Sequence, residues 1–260
     1  MDTNIKQNII QKLHDAEDSH GIKIIHAIES GSRGWGFAAK DADYDCRFLY
    51  VRPRDWYLSI QTRTEFIEYA NDEVYDIRGY DISRALKYII KPDTTIYEWL
   101  SSNEKYISCA ASVNQLKALA ADFFNPIPIS WHYLKLAQRM LESIDQHSEA
   151  KIKKYFYILR PIANLNFIWQ HGKMPYMEYA KTIAEIEMPT EVLTSIMGLM
   201  EVKLASHEHY KIPKQELLLA YFRDEIEVFE QRLHTMKHTK NRDYDQVDAV
   251  FKNIIEGAWV

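Results

Sequence analysis

The sequence is poor in cysteine, with Cys46 and Cys109 as the only two among 260 residues. Two cysteines that lie far apart in the chain cannot form a disulfide framework or a zinc knuckle, and such low usage is typical of a reducing compartment. Cys46 falls within an apolar run, where we expect a buried and unreactive thiol. The cysteine content therefore excludes the class of small secreted proteins that depend on disulfides.

Long hydrophobic runs are also missing from the chain. No window reaches the ~18 consecutive apolar residues that a membrane-spanning helix needs. Residues 1–21 lack the apolar core of a signal peptide. Hydrophobic residues still make up 47% of the chain, which is enough for a sizeable core. We therefore expect a cytoplasmic protein with no membrane partner.

A net positive charge is absent as well, because 37 acidic residues outnumber 32 lysines and arginines and leave a formal charge of −5. The surface as a whole should therefore not attract nucleic acid, and such binding would need a local basic patch. One candidate patch is the segment 232–242, which contains His234 and His238. Thr235 stands where a zinc-protease motif requires glutamate, so we expect a basic helix end and no zinc site.

Glycine is scarce, with eight in the chain, yet three of them fall within residues 31–36. They lie between two short apolar runs, residues 24–28 and 46–51, which predict buried strands. The turn at Gly31 and Ser32 offers free backbone N–H groups and a hydroxyl, and glycine lets the main chain approach an anion closely. This pattern predicts a phosphate-binding turn between two strands.

Two aspartates follow Ser32 after a spacer of ten residues, and they precede the second apolar run as Asp43-Tyr44-Asp45. Side chains alternate along a strand, so the two carboxylates should point to the same side. Carboxylates held side by side repel each other unless a cation lies between them, and their oxygens suit Mg2+ or Mn2+. A phosphate-binding turn beside such a pair is the arrangement that transfer of a nucleotidyl group requires.

A third carboxylate, Asp76, stands between apolar residues. Burying an unpaired charge is costly, so two interpretations are open. Asp76 either points to water from an edge strand, or it lies beside Asp43 and Asp45 and takes a proton from an attacking hydroxyl. Asp81 directly precedes a predicted helix at 82–90, where an aspartate is typical of an N-cap.

The segment GSRGWGFAAKDADYD, residues 31–45, resembles the Gly-Ser and Asp-x-Asp signature of the DNA polymerase beta-like nucleotidyltransferase superfamily. The first hundred residues are similar to predicted bacterial and phage nucleotidyltransferases associated with RNA repair, and residues 153–169 share this similarity more weakly. The resemblance implies a nucleotidyltransferase that requires Mg2+ or Mn2+ bound by Asp43, Asp45 and Asp76. It also favours Asp76 as the third catalytic carboxylate.

The resemblance further implies how the substrates bind. Gly31, Ser32 and Arg33 would hold the outer phosphates of an NTP, and Lys154 and Arg160 would reach the phosphates from a helical domain. The alternatives are an exposed turn arginine and a solvated helix face. The implied acceptor is an RNA 3′ end, as in RNA repair. A protein hydroxyl or a small molecule as acceptor, and a catalytically idle nucleotide-binding module, are the other hypotheses.

The order of elements predicts two domains. An α/β (α+β) nucleotidyltransferase domain with a mixed sheet should occupy residues 1–105, and an all-helical domain that closes the cleft should occupy residues 106–260. The first domain should contain a helix at 3–19, the two strands, and a hairpin formed by 64–69 and 74–78. Its cleft would bind the NTP.

Strand signals end near Glu104, and Ser130 is a candidate N-cap. Trp99 is expected to pack in the core, and no role is assigned to Glu98. Later helices are expected at about 111–121, 130–147, 150–170, 189–205, 213–235 and 245–256.

Overall fold

The structure is a computed structural model that describes residues 3–145, 148–237 and 244–259. Its helices are α1 (Thr3–His20), α2 (Gly31–Gly34), α3 (Arg54–Tyr57), α4 (Ile82–Ile90), α5 (Thr94–Ser101), α6 (Ala110–Phe123), α7 (Pro126–Asp145), α8 (Ile152–His171), α9 (Tyr179–Ala184), α10 (Thr190–Ala205), α11 (Glu216–Thr235) and α12 (Tyr244–Ala258). Its strands are β1 (Lys23–Glu29), β2 (Tyr44–Val51), β3 (Phe66–Asn71), β4 (Tyr75–Asp81), β5 (Lys105–Ser108), β6 (Glu149–Lys151) and β7 (Lys211–Pro213).

A five-stranded sheet in the order β3-β4-β2-β1-β5 forms the α/β part of the chain. Strands β2 and β4 are parallel, whereas the other neighbouring strands are antiparallel. The predicted α/β class with a mixed sheet is therefore confirmed. Strand β5 corrects the expectation that strands end near Glu104. Its four residues are too few to show alternation in the sequence, and it is defined by its pairing with β1.

One face of this sheet is apolar and packs against α1. Ile9 and Leu13 of α1 join Cys46, Phe48 and Ile77 of the sheet in one buried cluster. The Cys46 thiol is fully buried, as expected. Because side chains alternate along a strand, the residues between these on β2 and β4 point to the opposite face. That opposite face carries the polar side chains described below.

Aspartates begin two helices of this region. The Asp81 carboxylate accepts a hydrogen bond from the Ser83 backbone N–H at 2.8 Å, which confirms Asp81 as the N-cap of α4. Asp93 does the same for α5, where its Oδ1 accepts from the Thr95 N–H at 2.9 Å. This cap explains why a helix absent from the prediction begins there.

Helix α7 begins earlier than predicted, at Pro126, so Ser130 lies inside the helix and is not its N-cap. Pro126 and Pro128 lie in the first turn, where backbone N–H groups have no intrahelical partner, and proline is therefore tolerated. Two prolines this close together indicate a break in the preceding helix. The break lies between Phe123, where α6 ends, and Pro126.

By its internal contacts the chain divides into two units. The described residues within 1–34, 43–124 and 240–260 form unit 1, and those within 35–42 and 125–239 form unit 2. Unit 1 contains the five-stranded sheet and α12. Each unit is discontinuous in sequence, whereas we expected one boundary after residue 105. That one domain carries the nucleotidyltransferase site and the other closes the cleft stays a prediction.

Contacts of α12 show why it belongs to unit 1. The Trp259 indole Nε1, just beyond α12, donates to the Arg52 carbonyl at 3.0 Å, and the Phe251 ring meets the Tyr57 ring edge-on at 5.1 Å. Sequence pattern alone predicted the helix but not its partner, because the segment that it packs against precedes it by most of the chain.

Unit 2 is mainly helical. Helices α7, α8 and α11 pack on one another, and α8 continues on both sides of Pro161. The short strands β6 and β7 pair antiparallel in this unit and are a second departure from the all-helical prediction. Within the described ranges, none of the helices is both long and apolar enough to cross a membrane.

Gly79 of β4 allows a close approach in the core of unit 1. A Cβ atom at this position would lie 2.1 Å from Cε2 of Phe48, which is far shorter than a van der Waals contact. The Gly79→Ala variant must displace the ring or the strand, so we expect its free energy of unfolding in urea to fall by about 2 kcal/mol.

Gly257→Ala, in α12 of the same unit, is the matched control. A Cβ atom at Gly257 meets nothing within 4 Å, and alanine favours a helix over glycine by up to about 1 kcal/mol. The control should therefore be unchanged or slightly more stable. Equal stability of the two variants would contradict the steric role of Gly79.

Candidate active site

Strand register brings two of the predicted carboxylates together. In the parallel pair β2 and β4, Asp45 stands opposite Asp76, and Arg47 stands opposite Arg78. Residues two apart on a strand share a face, so all four side chains lie on the face of the sheet opposite the α1 core. The structure thus places Asp76 beside Asp45, the position that the family resemblance implies.

Arg47 holds the two carboxylates together. One guanidinium nitrogen, Nη2, lies 2.8 Å from Oδ1 of Asp45 and 2.8 Å from Oδ2 of Asp76. Nη1 donates to the Asp76 carbonyl at 2.7 Å. Nε of Arg78 lies 2.7 Å from the other Asp76 oxygen. Asp45, Arg47 and Asp76 are partly buried, so the ion pairs of Arg47 are less screened by water than surface pairs, whereas the Arg78 side chain is 35% exposed.

Asp43 immediately precedes β2. Its backbone carbonyl accepts a hydrogen bond from Nε of Arg33 at 2.9 Å, and the Arg33 guanidinium lies 4.0 Å from the centre of the Tyr44 ring. Burial raises the pKa of Asp45 above its ordinary value, Arg47 lowers it, and the negative charges of Asp43 and Asp76 raise it further. Asp45 therefore lies within electrostatic range of both Asp43 and Asp76.

The site offers a metal ion only oxygen ligands, which is the donor type that Mg2+ and Mn2+ prefer. The shared contact with Arg47 is direct evidence that the oxygens of Asp45 and Asp76 fit a positive charge between them. The part of the chain that the structure describes contains no group of three or more histidine, cysteine, aspartate or glutamate side chains placed to hold a metal ion. Two of the three predicted ligands thus fit, and metal binding by the set stays a prediction.

The predicted turn at Gly31 is the single-turn helix α2, and it packs directly on the carboxylate site. Gly31 has φ +54°, and a Cβ atom there would lie 1.8 Å from Oδ2 of Asp45. Only glycine fits this contact. Ser32 is buried, with 8% of its surface exposed. Binding of an NTP by Gly31, Ser32 and Arg33 stays a prediction.

Glu29, the last residue of β1, is a site residue that the sequence analysis missed. It is 1% exposed, its Oε1 accepts from the Asp45 backbone N–H at 3.0 Å, and its Oε2 accepts from the Tyr106 hydroxyl. Burial raises the pKa of Glu29 to about 7, although both hydrogen bonds lower it. The sequence contained one signal for this role: Glu29 is a carboxylate at the end of an apolar run, just before the Gly-Ser pair.

The predicted phosphate ligands of unit 2 have partners of their own. Nζ of Lys154 donates to the Ser143 carbonyl near the end of α7 at 2.8 Å. Arg160 is 5% exposed, and its guanidinium lies 4.1 Å from the centre of the Trp35 ring. Both contacts favour structural roles in unit 2, and phosphate binding by either residue stays a prediction.

The basic segment 232–242 is only partly described. His234 of α11 meets the Trp131 ring edge-on at 5.1 Å, which is a packing contact. His238 lies outside the described residues, as do the remaining residues up to 243.

The contact between Gly31 and Asp45 can be tested by substitution. Gly31→Ala forces a methyl group into the Asp45 carboxylate, so we expect unit 1 to be destabilised by several kcal/mol or the site to be displaced. Gly21→Ala is the matched control because Gly21 has φ +60° and nothing within 4 Å of a Cβ. Both variants carry the same backbone strain. Equal urea denaturation curves for the two would contradict the contact.

The raised pKa of Glu29 predicts a pH dependence of stability. Between its ordinary pKa of 4.5 and about 7, the unfolded chain loses this proton while the folded chain keeps it. Raising the pH through this window therefore favours unfolding, by up to roughly 3 kcal/mol. We expect the wild-type free energy of unfolding, minus that of Glu29→Gln, to fall across the window and then level off.

Urea denaturation of both proteins between about pH 4.5 and about pH 8 measures this difference. Burial lowers the pKa of His26 to about 4, but His26 is present in both proteins and its contribution cancels. Glutamine keeps an oxygen that can accept from the Asp45 N–H. A difference that does not vary with pH would show that Glu29 ionises normally.

Comparison with known proteins identifies the family. Residues 5–253 match the RlaP family, described as the RNA repair pathway DNA polymerase beta family. The uncharacterized protein YcgL of Bacillus subtilis (strain 168) is 33% identical over 255 residues, covering 98% of each chain. A nucleotidyltransferase-like protein from Exiguobacterium sibiricum 255-15 is 10% identical with a TM-score of 0.33, covering 97% of this chain and 81% of that one, a likeness that supports no conclusion. The chain belongs to the RNA repair pathway DNA polymerase beta family.

Proposed function

We propose that the protein transfers a nucleoside monophosphate from an NTP to the 3′ hydroxyl of an RNA and releases pyrophosphate. The observation that supports this proposal most directly is the register of β2 and β4, which places Asp45 beside Asp76 and against Gly31. The family description supports RNA as the acceptor.

The reaction forms one bond and breaks one. The acceptor oxygen attacks the α-phosphorus of the NTP, and the bond from this phosphorus to the bridging oxygen breaks, so that pyrophosphate leaves with the electron pair. The acceptor hydroxyl loses its proton, and Asp76 is the residue that we assign to receive it. Asp76 suits this role because its carboxylate lies on the polar face of the sheet beside Asp45.

Asp43, Asp45 and Asp76 would hold Mg2+ or Mn2+ as the cofactor. When bound, the ion would neutralise charge on the leaving pyrophosphate and on the attacking oxygen. Arg47 binds the same oxygens of Asp45 and Asp76, so it neutralises the pair and competes with the ion for them. Glu29 positions Asp45 through the backbone N–H of that residue.

The NTP phosphates would bind at Gly31, Ser32 and Arg33, with Lys154 and Arg160 as further cationic candidates. Arg33 already borders the carboxylates, because its Nε donates to the Asp43 carbonyl. A guanidinium group binds phosphate through paired, charge-assisted hydrogen bonds, which makes Arg33 a candidate for this contact. Support for Lys154 and Arg160 comes from the family resemblance alone.

Labelled NTPs and a short RNA test this proposal. Asp45→Asn and Asp76→Asn keep the shape of each side chain but remove the charge, so we expect transfer of labelled NMP to fall at least about a hundredfold. Asp18→Asn is the matched control because Asp18 is exposed on α1 of the same unit. Transfer should require Mg2+ or Mn2+ and stop when EDTA is added.

The acceptor is tested by a second RNA whose 3′ end lacks a hydroxyl. Label on the first RNA alone supports transfer to the 3′ end, whereas label on protein or on a small molecule would contradict an RNA acceptor. Transfer that is equal in the wild type and Asp45→Asn would contradict the assignment of this site. Thermal unfolding of each variant confirms that it is folded.

A further inference from the structure

Beside the carboxylates, unit 1 contains a cavity of about 370 Å3 whose lining combines arginines with aromatic rings. It is lined by Arg47, Phe66, Arg78, Tyr80, Arg84 and Trp99. We propose that this cavity, here called the arginine-aromatic pocket, binds a phosphate and the adjoining base of single-stranded RNA next to the reactive end. This inference rests on the proposed function and assigns the acceptor to particular residues.

The pocket directly adjoins the carboxylate pair. Arg47 and Arg78 both line the pocket, and both form ion pairs with Asp76. Along β4, Arg78 and Tyr80 follow Asp76 at intervals of two residues and therefore point to the same face. A strand bound in the pocket would thus have its neighbouring nucleotide within reach of the proposed catalytic carboxylate.

Arg84 adds a third guanidinium group to the lining of the pocket. Its guanidinium donates to the Tyr88 hydroxyl at 2.8 Å and lies 4.5 Å from the centre of the Tyr80 ring. Among the residues that the structure describes, no carboxylate forms an ion pair with Arg84. A guanidinium that is oriented by a phenol and a ring, and that forms no direct ion pair, is suited to bind phosphate.

Aromatic rings form the other part of the lining. The Tyr80 and Trp99 rings stack with centroids 4.9 Å apart and planes 25° apart. Trp99 is 5% exposed, which agrees with the expected role in the core, and its ring packs against one face of the Tyr80 ring. Phe66 lies beside Tyr80, with ring centroids 5.9 Å apart. Phe66 and Tyr80 are both half-buried and line the cavity, and we assign Phe66 as the ring on which a base stacks.

Rings and guanidinium groups together favour single-stranded nucleic acid. Free phosphate would need only the arginines, and an apolar ligand would need only the rings, whereas an unpaired nucleotide uses both. The volume lies within the range for a pocket that holds one small ligand, and it is enough for about one nucleotide. Because the whole chain carries a charge of −5, we expect RNA to bind at a local cluster of basic side chains.

The test measures binding of a labelled single-stranded RNA of ten nucleotides by fluorescence anisotropy, with EDTA present and no NTP. The full-length wild type should bind this RNA. Arg84→Gln should weaken binding about tenfold, because it removes one charge-assisted contact with phosphate. The slope of log Kd against log salt concentration should also decrease by about 0.9, which corresponds to the loss of one phosphate contact.

Lys87→Gln is the matched control. Lys87 lies on the same helix, and its substitution removes the same charge, but it is exposed, pairs with Glu65 and does not line the pocket. Its Kd should stay within about twofold of the wild-type value. Equal weakening by Arg84→Gln and Lys87→Gln would mean general electrostatic attraction and would overturn the inference.

Phe66→Leu is a second variant, which keeps an apolar side chain and removes the stacking surface. We expect it to weaken binding of the single strand several-fold, while a fully paired RNA hairpin without overhangs competes poorly with the labelled strand. Unchanged binding in both Arg84→Gln and Phe66→Leu, tight competition by the paired hairpin, or no binding by the wild type would overturn the inference.

Failure of this inference can be told apart from failure of the proposed function. RNA binding that depends on Arg84, without any transfer of NMP, would support the pocket and contradict the proposed reaction. Transfer of NMP to RNA that is unaffected by Arg84→Gln, even with RNA below its KM, would support the reaction and overturn the pocket.

Discussion

Repulsion between Asp45 and Asp76 is the constraint on which the polar face of the sheet depends. Parallel pairing of β2 with β4 puts these carboxylates side by side, and two such charges are stable together only near a cation. The same register supplies that cation, since Arg47 and Arg78 come two residues later on the same strands. The sheet thus carries both the negative charges and their counterions on one face, while its other face forms the core.

Asp45 is fixed from the end of β1 as well. The left-handed backbone of Gly31 places the main chain against its carboxylate, and the Glu29 side chain accepts from its N–H. A carboxylate that is held from its backbone and from its side chain has few conformations to lose when it binds a ligand. The Asp-x-Asp motif therefore depends on residues that come well before it in the sequence.

Local patterns predicted much of the fold, because alternation, helical periodicity and caps such as Asp81 depend on neighbouring residues. The pairing of Asp45 with Asp76 came from family resemblance, since no local pattern fixes the register of two strands that have α3 and β3 between them in the sequence. Strand β5 was missed because its structure comes from pairing with β1. In the sequence, Glu29 is simply the last residue of an apolar run, and only the fold shows that it contacts Asp45 and Tyr106.

Helix α12 has a consequence for how the polypeptide assembles. It packs in unit 1, yet the ribosome makes it only after the whole of unit 2. During synthesis, the surface around Arg52 and Tyr57 therefore stays exposed until the segment that ends at Trp259 has been made. The sheet-bearing half can therefore be completed only after all of unit 2 has been synthesised, and a ribosome stalled before α12 would leave that half open to aggregation.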